Sequence, residues 1–319
     1  KEIRGTHIVS VTSDPPSPVN GQMWYNSTDK VVKGFTSSPA GTWSTAANMN
    51  TARHSGIASA GANAEAALGF GGGPPPAPGA VAITESWNGS AWTEVADLNT
   101  ARALAGGAGN YTSAIAAGGD QYSGTSEFWN GSSWQNITSS PNTGHTQQGA
   151  GSDGEDALIF GGSPWNSNNQ TDYWNGSSWT ELANLNSAGQ RGAGAGKSYT
   201  AALAIGGTLS GSVSANTESF NGSSWTEVND LNTARAYIGA DGTQTSALAF
   251  GGNNPPNLAV TESWNGTSFT ETGDLNTARS YLGRGGANNT SALAFSGAPS
   301  NATEEFVTPT TSTVTFTVS

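Results

Sequence analysis

The chain has 319 residues, 44 of them Gly and 14 Pro, and its 11 basic against 23 acidic residues give a net charge of −12. With 11 Trp, 7 Tyr and 10 Phe but only 11% charged residues, the composition is that of a folded chain rather than a disordered one. The acidic balance argues against nucleic-acid binding, which needs clustered Lys and Arg. No apolar run approaches the ~18 residues of a transmembrane helix, and the absence of cysteine removes disulfides, thiolate metal sites and cysteine nucleophiles. Three histidines, His7, His54 and His145, leave little material for a metal centre.

In chain order, residues 1–20, with Pro15, Pro16 and Pro18, read as an extended N-terminal tether. Met23–Asn26 and Val31–Phe35 read as an accessory hairpin. From residue 41 onward the dominant signal is self-similarity. Five segments carry nearly the same word: Thr84 to Gly89, Ser126 to Gly131, Thr171 to Gly176, Thr217 to Gly222 and Thr261 to Gly266. Their asparagines (Asn88, Asn130, Asn175, Asn221, Asn265) recur every 42 to 46 residues, and Thr303–Phe306 is a sixth, incomplete copy. A second word is a small apolar strand ending in diglycine, as at Leu68–Gly72 and Leu248–Gly252. A third, Leu-Asn-Thr-Ala-Arg, ends at Arg102, Arg235 and Arg279, with a variant ending at Arg53; Thr143–His145 and Ser187–Gly189 hold its two degenerate positions.

Each unit has room for four short strands and no helix. The first is Gly/Ala-rich, the second is of the Ser-Ala-Leu-Ala-Phe type, the third is Thr-Glu-Ser-Trp, and the fourth begins at the next aromatic (Trp92, Trp134, Trp179, Trp225 or Phe269). Asn-Gly between the last two is a strong hairpin signal. Either a two- or a four-residue loop puts Trp87 and Trp92 on one face, where they can fill the space between units. The following Ser or Thr also makes each Asn-Gly a formal glycosylation acceptor, although recurrence at one position favours a turn role. Asp120, Asp153, Asp156 and Asp172 fit no calcium-loop spacing, so neither a metal nor a cofactor is expected.

Four antiparallel strands repeated six times predict an all-β fold, a six-bladed β-propeller spanning residues 21–307. The last unit stops after Phe306, while Gly41-Thr42-Trp43 precedes the first repeat. Trp43 lies eight residues before Thr51, as Trp92 lies before Thr100. An N-terminal strand is therefore expected to close the last blade; whether the 23–35 hairpin or Thr303–Val307 supplies the third strand there is open. Residues 308–319, alternating Thr with Val or Phe, predict a final strand available to a partner.

The diglycine after an apolar strand, the Glu-x-aromatic strand a dozen residues later, and a Trp five residues beyond together resemble the kelch repeat over roughly residues 41–307. The repeats are also similar to kelch-like repeats in structural proteins of tailed, particularly marine, bacteriophages. In those proteins a Gly-Gln-x-Trp-Tyr-Asn-Ser-Thr word, here Gly21–Thr28, often precedes the propeller. The resemblance implies a non-enzymatic virion-surface protein (a fibre, appendage or decoration module), at the virion surface or extracellular. It would assemble with other virion subunits through residues 1–20 and 308–319 and engage host-surface glycans. A secreted bacterial adhesin or surface-layer module, or a carbohydrate-active propeller enzyme, are the alternatives.

No catalytic set is visible. One end of each unit carries the inter-unit loops and the variable stretches 73–83, 163–170, 208–216 and 253–260, and binding usually lives on such loops. Candidate ligand-binding residues there are Arg53, His54, Arg102, Gln147, Trp165, Arg191, Arg235, Tyr237, Arg279 and Tyr281. The competing reading of the repeated arginines is that each pairs with Asp97, Asp230, Asp274 or the Glu of Thr-Glu-Ser, and of Trp165 that it anchors a loop.

Overall fold

The computed structural model describes residues 8–16, 22–37, 41–53, 56–73, 79–119, 125–140, 148–162, 169–298, 300–307 and 311–316. Among these every regular element is a strand. The chain divides into two compact units, one comprising residues 42–307 and the other residues 1–41 with 308–319.

The larger unit holds six antiparallel sheets in a propeller-like arrangement. Their innermost strands, in chain order, are Ala58–Asn63, Gly106–Gly109, Gln148–Asp153, Ala193–Ser198, Gly239–Thr243 and Gly283–Asn288. Each innermost strand lies beside that of the next sheet, and the sixth lies beside the first. The Gly and Ala content of these strands follows from that proximity. A Cβ on Gly149 would sit 2.3 Å from the carbonyl oxygen of Gly107, and one on Gly194 would sit 2.2 Å from that of Gly149. Only glycine admits such an approach.

The order within a sheet is the one the repeats predict. In the first sheet Ala58–Asn63 pairs with Ala66–Phe70, then Thr84–Trp87, then Trp92–Val95. The hairpin loop has four residues, because Trp87 opposes Trp92 directly. Gly89 takes the left-handed conformation with φ of 87°, and Asn88 contributes its side chain, its Oδ1 accepting from the backbone N–H groups of Ser90 and Ala91. The Trp87 and Trp92 rings lie 5.4 Å apart on one face.

Among the described residues, six apolar clusters fill the spaces between sheets. Each draws on two sheets consecutive in order, including one that joins the sixth to the first through Leu293, Phe295, Trp87 and Trp92. The outer-strand tryptophan is the recurrent link. Trp134 packs 4.8 Å from Phe70 of the preceding sheet and donates its indole N–H to Thr84 Oγ1 at 3.0 Å. Trp225 repeats this with Phe160 and Thr171, and Trp92 with Phe295 and Thr303. The Phe of the diglycine word, the Thr of Thr-Glu-Ser and the outer Trp thus form one device spread over two neighbouring sheets.

The sixth sheet settles the open assignment. Thr303–Val307 is its third strand and Thr42–Ala46 its fourth, with Phe306 opposite Trp43. Trp43 donates to Thr261 Oγ1 at 3.0 Å and contacts Phe250 and Phe306 edge-on. The fourth sheet departs from the expected loop at 208–216. Its second and third strands extend to Ala201–Leu209 and Ser212–Phe220, joined by a tight turn with positive φ at Ser210 and Gly211.

The smaller unit corrects the expected tether and free tail. Val9–Val11 pairs in parallel with Met23–Asn26, which pairs with Val31–Ser37, which pairs with the C-terminal strand Thr311–Phe316. The described part of the N-terminal stretch therefore enters a sheet, and the C-terminal strand is already paired along one edge. Trp24, 1% exposed, donates its indole N–H to Asp14, as do Asn26 and Lys33 their side-chain N–H groups. These donors, Lys33 foremost, hold the Asp14 carboxyl at about 2.

Two outcomes are expected. Trp43→Ala should destabilise the larger unit by about 3–5 kcal/mol in denaturant unfolding, whereas Tyr111→Ala, at an exposed ring, should stay within about 0.5 kcal/mol. Because the Asp14 value in the folded state lies below that of a free carboxylate, its stabilising contribution is present above about pH 4 and lost as pH falls through about 2. The Trp24 indole N–H resonance should titrate near pH 2, and a midpoint near that of a free carboxylate would refute the bridge.

Candidate functional site

The repeated arginines do not line a surface. Arg53, Arg235 and Arg279 are fully buried and Arg102 is 1% exposed. Each binds the glutamate at the Thr-Glu-Ser position of its own sheet: Arg53 with Glu85 at 2.9 Å, Arg102 with Glu127 at 2.7 Å, Arg235 with Glu262 at 3.3 Å and Arg279 with Glu304 at 2.8 Å. The second guanidinium nitrogen of Arg53 donates to the carbonyls of Gly71 and Ile83, and Arg102 does the same to Gly118 and Thr125. The Asn of the same word completes the bracket: Asn50 gives both its backbone N–H and its side-chain amide to Glu85 Oε2. Asp97, Asp230 and Asp274, the other proposed arginine partners, accept instead from the backbone N–H of Thr84, Thr217 and Thr261. The Asn-Thr-Ala-Arg word is therefore a fastener of the four sheets that carry it, and these four candidates leave the ligand-facing set. Burial lowers the pKa of Arg53, Arg235 and Arg279, and the paired glutamates act against that shift.

The candidates that do converge are Arg191, Tyr237 and Tyr281. Each lies two residues before the start of an innermost strand, in the fourth, fifth and sixth sheets respectively. All three take left-handed backbone, with φ of 63°, 55° and 62°; Leu104 in the second sheet, at 58°, does likewise. Non-glycine residues hold this conformation at a cost of about 1 kcal/mol or more. The compensation is a chain of backbone bonds across sheets: Tyr281 N–H donates to Tyr237 O at 2.9 Å, and Tyr237 N–H donates to Arg191 O. The tyrosine rings lie 3.9 Å apart, and the Arg191 guanidinium sits 5.3 Å from the centre of the Tyr237 ring. Burial, then the hydrogen bond with Tyr237, raises the Tyr281 hydroxyl pKa, so it stays protonated. Together with Leu104, Ile57, Ile238 and Leu282 these side chains rim a depression. His54, Gln147 and Trp165 lie outside the described residues.

Beneath this rim is a feature that sequence reasoning missed. Arg284, on the innermost strand of the sixth sheet, donates to the carbonyl oxygens of Gly194, Ala240 (2.6 Å), Gly149 (2.7 Å) and Gly107 (3.4 Å). Its backbone N–H reaches Ser59 Oγ. One residue thus bonds to all five other sheets. Further along the same strands, Lys197 contacts the Gly61 and Gly286 carbonyls and pairs with Asp241 at 2.7 Å. The signal available in the sequence was a charged residue inside a Gly/Ala strand: Gly283-Arg284-Gly285, Gly196-Lys197 and Ala240-Asp241-Gly242.

Among the described residues no group of three or more His, Asp or Glu side chains is placed to hold a metal ion. No known family model matches the chain, and no curated protein matches it.

Arg284→Met should lower the unfolding free energy by on the order of 3 kcal/mol, since four strands lose a charged donor. Arg191→Met at the rim should change it by less than about 1 kcal/mol. Equal effects in urea unfolding would refute the axial role of Arg284.

Proposed function

We propose that residues 42–307 form a six-bladed, kelch-like β-propeller that acts as a non-enzymatic binding platform on a virion surface, with a host-surface glycan as its ligand. The propeller reading rests on the recurrence of six sheets, the cyclic order of their innermost strands, and the contribution of Thr42–Ala46 to the last sheet. The binding reading rests on one observation above all. Three adjacent sheets spend strained backbone to present Arg191, Tyr237 and Tyr281 together at one end of the axis.

Paired aromatic rings suit the apolar face of a pyranose, while the guanidinium and the Tyr hydroxyls supply planar and terminal donors for its hydroxyl groups. The four buried arginine–glutamate brackets make the support rigid, so little ordering would accompany binding. The virion assignment rests on the repeat words and on the Gly21–Thr28 word.

On a glycan array, the intact chain should give discrete signals that fall at least tenfold in Tyr237→Ala and Tyr281→Ala while both variants keep the parent melting temperature. Signals unchanged in both variants would place binding elsewhere. Peptide mass spectrometry should find the chain in purified virions beside capsid and tail proteins; recovery only from cell surfaces or medium would favour an adhesin.

A further inference from the structure

Four sheets hold the arginine bracket, but in the fourth sheet the arginine position is Gly189, in the segment Asn186-Ser187-Ala188-Gly189 that replaces Asn-Thr-Ala-Arg. The rest of the bracket is intact. Asn186 donates its backbone and side-chain N–H to Glu218 Oε2 at 2.8 and 2.9 Å, and Ser187 N–H donates to Oε1 at 2.9 Å. Glu218 is 3% exposed, yet among the described residues no Lys or Arg pairs with it.

Where the guanidinium would lie there is a cavity. Its walls include Gly206, Asn216 and Glu218, the counterparts of the Gly71, Ile83 and Glu85 that hold Arg53. Gln148, from the third sheet and 5% exposed, also lines it. Gln148 Oε1 and Asn216 Oδ1 are both buried there without a hydrogen-bond partner. A buried acceptor left unpaired costs about 1–3 kcal/mol, and two beside an uncompensated carboxylate demand a positive or donating occupant.

The chemistry narrows the occupant. Every unsatisfied group is oxygen, so the site is hard. There is a single carboxylate, matched in the sister sheets by a single positive charge, so a charge of +1 balances it. The volume, about 20 Å³, admits one or two water-sized species. We propose that this vacated arginine slot is a structural site for a monovalent alkali cation, sodium or potassium, held by Glu218, Asn216 and Gln148. The cation does in the fourth sheet what arginine does in the others: it neutralises the Thr-Glu-Ser glutamate and so fastens the inter-sheet segment.

The experiment compares thermal unfolding of the full chain in sodium, potassium and choline chloride at equal ionic strength. Choline is too large to enter. The melting temperature should be about 2–4 °C higher in at least one alkali salt than in choline, and Glu218→Gln should erase the difference. Gly189→Arg repairs the bracket; a Cβ there meets Leu209 Cδ2 at an ordinary 3.6 Å. That variant should melt higher in choline and show no alkali dependence. Sodium-23 line broadening by the parent protein, competed by potassium and absent in Glu218→Gln, reads the site without any stability change. Equal melting temperatures in all three salts, alkali dependence that persists in Gly189→Arg, or no sodium broadening where sodium raises the melting temperature would each overturn the proposal.

Discussion

Backbone crowding along one axis governs the rest of the larger unit. The innermost strands approach so closely that at Gly149 and Gly194 no Cβ fits between one strand and the carbonyls of the next. Strands that close leave room for few side chains between them, and buried acceptors left unpaired are costly. Arg284 and Lys197 answer that constraint by filling the space with donors. A guanidinium suits it best, because its terminal N–H groups lie in a fixed planar fork and can reach several carbonyls at once. The associated charge is partly offset by Asp241, although burial still lowers the Arg284 pKa.

Away from the axis, where the sheets diverge, the problem reverses: space must be filled. Large aromatics do this, and the outer Trp adds direction by hydrogen bonding to a Thr of the preceding sheet. Between these zones, the arginine–glutamate brackets pin four of the inter-unit segments to the sheets they introduce. Buried ion pairs of this kind contribute modest net stability, since desolvation offsets most of the attraction, but removal of one partner is severe. Their value lies in fixing one geometry, and the rim residues Tyr237 and Tyr281 begin only two residues beyond Arg235 and Arg279 of two such brackets. The two strained tyrosines are therefore set on the most constrained part of their segments.

The words of the repeat made the strand order, the shared face of Trp87 and Trp92 and the role of Thr42–Ala46 legible, because each follows from period-two alternation and unit spacing. The arginines illustrate the limit. Their recurrence was visible, but a repeated charge reads equally as a ligand-facing ring or as an internal fastener until burial decides. Arg284, Lys197 and Asp241 were harder still, because each occurs in one unit only and a repeat-based reading averages them away. The sheet formed by Val9–Val11, Met23–Asn26, Val31–Ser37 and Thr311–Phe316 joins the two ends of the sequence, a pairing between strands of different composition that no local signal announces.

The axial guanidinium offers the most direct test. Its four terminal N–H protons can be followed by nitrogen-15 NMR with Arg284 assigned by substitution. Locked on carbonyls of four strands, they should appear as separate, slowly exchanging resonances with rotation about the Nε–Cζ bond arrested. A single averaged, rapidly exchanging signal would mean a guanidinium free in water, and the axis described here would not exist.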